Sequence, residues 1–296
     1  PTRAAPAARL PTAAVRRDRP QRLPPEGSQG APPDVVCGAS NLVRGAVVSR
    51  ASPPPRTRKV SFAVETAART AQAVIVAIDG PSGTGKSSTS KAVAAQLGLS
   101  YLDTGAQYRA ITWWMVNNGI DITDPGAIAA AAGKPEIISG TDPSAPTIIV
   151  DGTDVAGPIR TQEVTSKVSA VSAVPEVRAR ITELQRSIAA AAENGIVVEG
   201  RDIGTTVLPD ADLKVFLTAS PEARAARRNG ELKGKEAADL AATKAALIKR
   251  DAADSSRKTS PLAKADDAIE VDTSDLTLQQ VIECVVTLIE EKRAGK

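Results

Sequence analysis

With 296 residues the chain is long enough for one large domain or two small ones around a substantial buried core. It contains no histidine and two cysteines, Cys37 and Cys284, which excludes a Ser-His-Asp or Cys-His triad, a His/Cys metal centre and a disulfide framework. The net charge of +3 is unevenly spread, because residues 1–60 carry eleven Arg and Lys against three acidic residues, leaving −5 for residues 61–296.

The same first 60 residues hold 11 of the 21 prolines and few large apolar side chains. They bury too little to offset the entropy of ordering, so residues 1 to about 70 read as a disordered basic extension. Such a tail suits a nucleic acid or an anionic surface, and it also has the look of an Arg-rich, acid-poor targeting peptide. The plainer reading is an unstructured extension outside the native product. No run of 18 apolar residues occurs and no apolar segment ends in a small-residue cleavage site, so neither a transmembrane helix nor a secretory signal is expected. A reducing cytoplasm fits the sparse cysteines.

Past the tail, apolar runs alternate with helical patterns over residues 73–296. Val74–Ile78 reads as a buried strand, and Ser87–Leu97 as a helix with Val93 and Leu97 on one face and Gly98 as its stop. "LSYLD" is a short strand and Thr104–Asn118 a helix ended by Asn-Gly. From 126 to 159 short apolar pieces are separated by Gly, Pro and Asp-Gly, the pattern of a small antiparallel insert. Val177, Ile181, Leu184 and Ile188 recur at helical spacing. "GIVVEG" and "DLKVFL" are further strands, followed by a basic helical stretch, a last strand "DAIEVD" and a closing helix over Leu276–Glu290. Five strands alternating with helices predict an α/β fold: a parallel sheet covered by helices on both faces.

Gly80-Pro81-Ser82-Gly83-Thr84-Gly85-Lys86-Ser87 matches G-x-x-x-x-G-K-[ST] in full, between strand and helix. Glycines let backbone N–H groups turn toward phosphate oxygens, and the following helix N-terminus adds positive potential. Lys86 supplies a point charge for the outer phosphates and the Ser87 hydroxyl a magnesium ligand, so the loop predicts a nucleoside triphosphate with Mg2+. No Asn-Lys-x-Asp motif for guanine is present. "TIIVD", ending at Asp151, imitates a magnesium-binding strand but runs into Gly152 and reads better as a hairpin turn. Glu199, ending "GIVVE" on a buried strand, is the better-placed acid.

Arg109, Arg201, Arg250 and Arg257 lie in polar, non-amphipathic settings. Each alone also reads as a solvated surface charge, and Arg250, Asp254 and Arg257 equally as a salt-laced helix face. Arg201 stands apart, since it follows a buried strand through a glycine, where α/β ligand sites form.

The loop is followed, in order, by "YLDTGAQYRA", "IRTQEVTSKVSAVSAVPEVR", "EGRDIGT", "SPEARAARR" and "KRDAADSSRKTSPL". Over roughly Ala73 to Ile289 this succession resembles the bacterial cytidylate kinases. The resemblance implies a three-layer P-loop kinase fold with an insert at about 131–165 and a lid at about 224–249. It also implies a monomer that needs neither nucleic acid nor membrane. ATP would lie on Gly80–Ser88, with Ser88 beside the magnesium-ligating Ser87 and with Arg227 and Arg228 from the lid. Arg109, Arg201 and Arg257 would grip the phosphate of CMP or dCMP, with Lys86, Arg201 and Arg257 as the catalytic cations. Ser169, Arg178 and Asp202 would hydrogen-bond the cytosine, and Arg250 and Asp254 the sugar. Thr104 stands where a serine is common and would share the CMP site; Glu199 stands where many members have Asp.

The absence of histidine is compatible with that reaction. A phosphate monoester has a second pKa of about 6 and is already mostly dianionic at neutral pH, so attack by its oxygen needs no general base. What is needed is alignment of two anions, neutralisation of charge and exclusion of water. Two other readings remain open: the same loop with UMP or another small phosphate as acceptor, and a non-catalytic ATP-binding module with a nucleic-acid-binding tail.

Overall fold

A computed structural model of the chain describes residues 73–231 and 239–295. The extension read as disordered, residues 1–70, lies outside them, as do residues 232–238 of the basic stretch. The main sheet has the order β2(Ser100–Asp103), β6(Gly195–Glu199), β1(Val74–Asp79), β7(Leu213–Thr218) and β8(Ile269–Asp272), with every neighbouring pair parallel. Side-chain alternation along each strand divides the core in two. Val74, Val76 and Ile78 of β1, with Val215 and Leu217 of β7, pack against Val93 of α1(Lys86–Leu97) and Val281 and Val285 of α8(Leu278–Ala294). Ala77, Ile196 and Val198 face the other way, onto Ala189 of α5(Pro175–Ala190) and Ile203. The five-stranded parallel sheet between two helical layers is thus as the alternation predicts.

A separate cluster joins Ile111 and Met115 of α2(Thr104–Asn117), Ile128 of α3(Pro125–Ala131), Val168 of α4(Gln162–Val171) and Ile181 of α5 to the inner face of a small sheet. That sheet is antiparallel, β3(Ile137–Ser139), β4(Ile148–Val150) and β5(Thr153–Asp154). Asp151 and Gly152 both have positive φ (47° and 77°) and form the β4–β5 turn, so Asp151 is a hairpin residue. Its carboxylate accepts from the Trp114 indole N–H at 2.6 Å and from the Glu136 N–H at 2.8 Å, tying the turn to α2. The insert also guards the open edge of the main sheet, where Tyr101 N–H of β2 donates to the Thr141 carbonyl at 2.9 Å.

Three elements differ from the sequence-based expectation. The closing helix begins at Leu278 because Thr277 and Gln280 form a capping box, and it runs on to Ala294. Among its described residues the basic stretch contains two helices, α6(Pro221–Glu231) and α7(Leu240–Ser255). Residues Ile203–Val207 form a single π turn, with Val207 and Leu208 N–H groups donating five residues back to Asp202 and Ile203. Its cause is tertiary: the Asp79 carboxylate at the end of β1 accepts from the Ile203 and Gly204 N–H groups at 2.9 and 2.8 Å.

Gly195 opens β6 at φ +93°, and a Cβ there would lie 2.3 Å from the Val74 carbonyl oxygen and 2.5 Å from its nitrogen. Both atoms belong to the neighbouring backbone and have no room to move. Gly195→Ala therefore lowers stability by about 3 kcal/mol, read as a fall in urea midpoint with unchanged slope. An unchanged midpoint would mean that β1 and β6 do not approach this closely.

Candidate active site

The carboxyl ends of β1, β2 and β6 place the loop Gly80–Gly85, Asp103 and Glu199 side by side, at the edge where ligands of α/β sheets bind. Lys86 opens α1 and is buried; its Nζ donates to the Pro81 carbonyl at 2.7 Å, across the mouth of its own loop. Burial first, then the neighbouring Arg201 guanidinium, pushes the Lys86 amine down to about 7. One residue on, the exposed Ser87 hydroxyl donates to Glu199 Oε2 at 3.0 Å, while Ser88 points outward. Glu199 also accepts from the Tyr101 hydroxyl. Burial, followed by the charge of Asp103 beside it, pushes the Glu199 carboxyl up to about 7. A hydroxyl and a carboxylate, with a second carboxylate adjacent, are hard oxygen donors. They are too few for a closed cage, since the described residues hold no cluster of three or more metal-ligating side chains. That set fits Mg2+, which keeps several waters and completes its shell on phosphate oxygens.

Facing the loop is a chain of arginines from three elements. Arg109 of α2 donates to the Ile159 carbonyl at 3.2 Å and to the Thr165 hydroxyl at 2.8 Å. Burial lowers its guanidinium to about 10, with Arg250 the next contributor. Arg250 of α7 is likewise lowered to about 10, by burial and then by Arg201, and its Nε is buried without a hydrogen-bond partner. Arg201, past β6, donates through Nε to Asp254 at 3.0 Å and through a terminal nitrogen to the Ser82 hydroxyl of the loop at 2.6 Å. Arg257 pairs with the other oxygen of Asp254 and donates to the Ser172 hydroxyl at 3.1 Å; burial lowers it too. Four cations so close together carry an unmet demand for an anion, and Arg201 links them to the triphosphate loop.

The other expected residues line two sides of this cleft. Arg178 is 3% exposed and forms an ion pair with Asp202, donating also to the Ser172 carbonyl at 3.2 Å, with its guanidinium 5.2 Å from the centre of the Tyr108 ring. Burial raises the Asp202 carboxyl even against the pull of Arg178. Ser169, on α4, is half-buried, and its carbonyl accepts from Ser172 Oγ at 3.3 Å. Thr104 donates to the Glu199 carbonyl at 2.6 Å, fixing the start of α2 beneath the arginines. The two arginines of α6 expected at ATP diverge: Arg227 is held by the hydroxyl and carbonyl of Thr273, whereas the charge of Arg228 is felt at Arg109.

Several supports escaped the sequence reading. Asp79 lies at the foot of the loop, its carboxyl pushed up to about 6 by burial. Tyr101 holds Glu199, Ser172 joins Arg178 to Arg257, and Arg224 and Asp251 hold Ser82. Asp103 caps α2 by accepting from the Ala106 N–H at 2.9 Å. Only Asp103 carried a local signal, an Asp immediately before a helical pattern.

Residues 76–291 match the family described as cytidylate kinase. The chain is 89% identical over 230 residues to a protein of Streptomyces avermitilis named cytidylate kinase, covering 78% of this chain and 98% of that one. A protein of the same name from Streptomyces coelicolor is 86% identical over the same shares of both chains. One from Nocardia farcinica is 54% identical, over 71% of this chain and 90% of its own length.

Because the Lys86 amine lies near 7 before any anion arrives, an anion on the loop recharges it. Mg2+-free tripolyphosphate at pH 8 should bind with uptake of about one proton, seen as a dependence of calorimetric heat on buffer ionisation enthalpy. In Lys86→Met the uptake should fall by at least half. Buffer-independent heats in the wild-type protein would show that the amine is fully charged without ligand.

Proposed function

The chain belongs to the cytidylate kinase family, and from that premise we propose the working of its site: transfer of the γ-phosphoryl group of ATP to CMP or dCMP, giving ADP and CDP or dCDP. The observation that supports this assignment of residues most directly is the arginine chain Arg109–Arg250–Arg201–Arg257, in which Asp254 orients Arg201 and Arg257 and Arg201 reaches the Ser82 hydroxyl of the triphosphate loop at 2.6 Å, with burial and then neighbouring cations lowering Arg109 and Arg250. A second bound phosphate removes that repulsion.

ATP lies on Gly80–Ser88, with Lys86 leaving the Pro81 carbonyl for the outer phosphates. Ser87 and Glu199 would hold Mg2+, which would supply neutralisation of charge on the phosphate oxygens. The CMP phosphate sits among Arg109, Arg201 and Arg257, and Arg250 and Asp254 meet the sugar. Cytosine is read by Ser169, Arg178 and Asp202. A carboxylate at Asp202 accepts from the cytosine amino group, whereas uracil turns a carbonyl oxygen toward it, which favours CMP over UMP. No side chain takes a proton from the nucleophile, because the CMP phosphate is already mostly dianionic. Arg201 touches both halves of the site and is suited to follow the charge as it moves from donor to acceptor. The stretch at about 224–249, with Arg227 and Arg228, would form the lid that keeps water from the γ-phosphoryl group. Among the described residues no helix is long and apolar enough to cross a membrane. The family resemblance supports a cytoplasmic monomer.

A coupled ADP-release assay with MgATP tests the reading: fast turnover with CMP and dCMP, slower with UMP, and near silence with AMP and GMP. Silence with every monophosphate would refute it. Lys86→Ala should cut kcat by about 10²–10³-fold with little change in KM for CMP. Arg201→Ala should cut kcat/KM for CMP by a similar factor, on the order of 10²-fold or more, while MgATP affinity changes far less. If Arg201→Ala binds and uses CMP normally, the acceptor phosphate lies elsewhere.

A further inference from the structure

All three polar groups of Ser82 are held by other elements. Its N–H donates to Asp251 Oδ1 at 3.1 Å, its carbonyl accepts from Arg224 at 3.1 Å, and its hydroxyl accepts from Arg201 at 2.6 Å. Arg224 and Asp251 form an ion pair of their own, with side chains 7% and 15% exposed. The backbone of Arg224 presses on the next residue of the loop, since a Cβ at Gly83 would lie 3.2 Å from the Arg224 Cβ and carbonyl oxygen. Helix α6 therefore backs the loop, and α7 reaches it from Asp251, one turn before Asp254.

A carboxylate behind an anion-binding loop is unfavourable unless it is neutralised. Asp251 turns the Ser82 N–H away from the cleft and Arg224 cancels its charge. We propose that Asp251 and Arg224 are positioning residues that pin the triphosphate loop through Ser82, and that the balance of their two charges sets the loop's affinity for ATP. The field of Asp251 reaches the Lys86 amine and the Arg250 guanidinium, so it acts on donor and acceptor sides together. The inference rests on the kinase reading above, but its test reads ATP binding without an acceptor.

A merely structural ion pair gives two variants that lose stability equally and bind ATP alike. The pin with a charge balance gives opposite responses. Arg224→Met leaves Asp251 uncompensated and should weaken MgATP binding at least tenfold by calorimetry. Asp251→Asn leaves Arg224 uncompensated while its amide oxygen still accepts from the Ser82 N–H, so affinity should be unchanged or tighter. The double variant should return ATP affinity to within about threefold of wild type. If it stays as weak as Arg224→Met, Arg224 contacts ATP directly and the proposal is wrong. A tenfold loss of affinity in Asp251→Asn alone overturns it as well. Should Arg224→Met fail to fold, Arg224→Lys, which keeps the charge, should bind ATP within about threefold of wild type, and a tenfold loss there refutes the charge argument. Absence of CMP turnover in the wild-type protein would instead sink the kinase reading and leave the ATP-binding comparison intact.

Discussion

The constraint on which the site depends is like-charge repulsion among cations gathered before their anions arrive. Arg109, Arg201, Arg250, Arg257 and Lys86 each sit where burial and at least one neighbouring cation disfavour their charge, or, for Arg201, impose that cost on others. A guanidinium taken from water without a partner costs several kcal/mol, and a folded cleft tolerates such a cluster only where carboxylates are interleaved. The sequence "KRDAADSSRK" does this on one helix: Asp251 and Asp254, three residues apart, face the loop and the arginines respectively.

Because α7 carries Arg250, Asp251 and Asp254, the two halves of the site are not independent. Asp254 gives one oxygen to Arg201 and the other to Arg257, so both are oriented by one buried carboxylate. Arg201 then spans to Ser82, whose N–H returns to Asp251 on the same helix. The circuit Ser82–Arg201–Asp254–α7–Asp251–Ser82 closes on itself, and a shift of α7 moves the loop and the arginines together. Hydrogen bonds to charged groups in such a network are stronger than neutral ones and demand defined geometry.

Much of this was legible in the sequence, for physical reasons that also mark the limits. The central strands β1, β6 and β7 are apolar along most of their length and were recognisable from local composition, whereas the short, half-polar edge strands β2 and β8 were recognisable by their place between helical patterns. The loop was recognisable because backbone turns around phosphate restrict residue type at fixed spacing. Arg201 stood out by its place after a buried strand. The π turn did not, because Ile203 and Gly204 are drawn out of register by Asp79, more than 120 residues earlier. Tyr101, Ser172, Arg224 and Asp251 are ordinary residue types in ordinary local patterns, and each acquires its role from a partner distant in sequence.

The contacts of the site fall into two kinds, and the difference bears on how a reaction without a general base is controlled. Lys86 on the Pro81 carbonyl and Ser87 on Glu199 are contacts that a phosphate oxygen or a magnesium ion replaces with a stronger partner. Arg224–Asp251 and Arg178–Asp202 are buried ion pairs whose separation would strand a charge, so they persist through ligand exchange. Of the two pairs, Arg224–Asp251 stands behind the loop that carries Lys86. Where chemistry needs only alignment and charge neutralisation, that separation is what a rate depends on. Lys86, the group that must change partner, is held by a neutral carbonyl, and the loop that aims it is held by two charges that cannot leave one another.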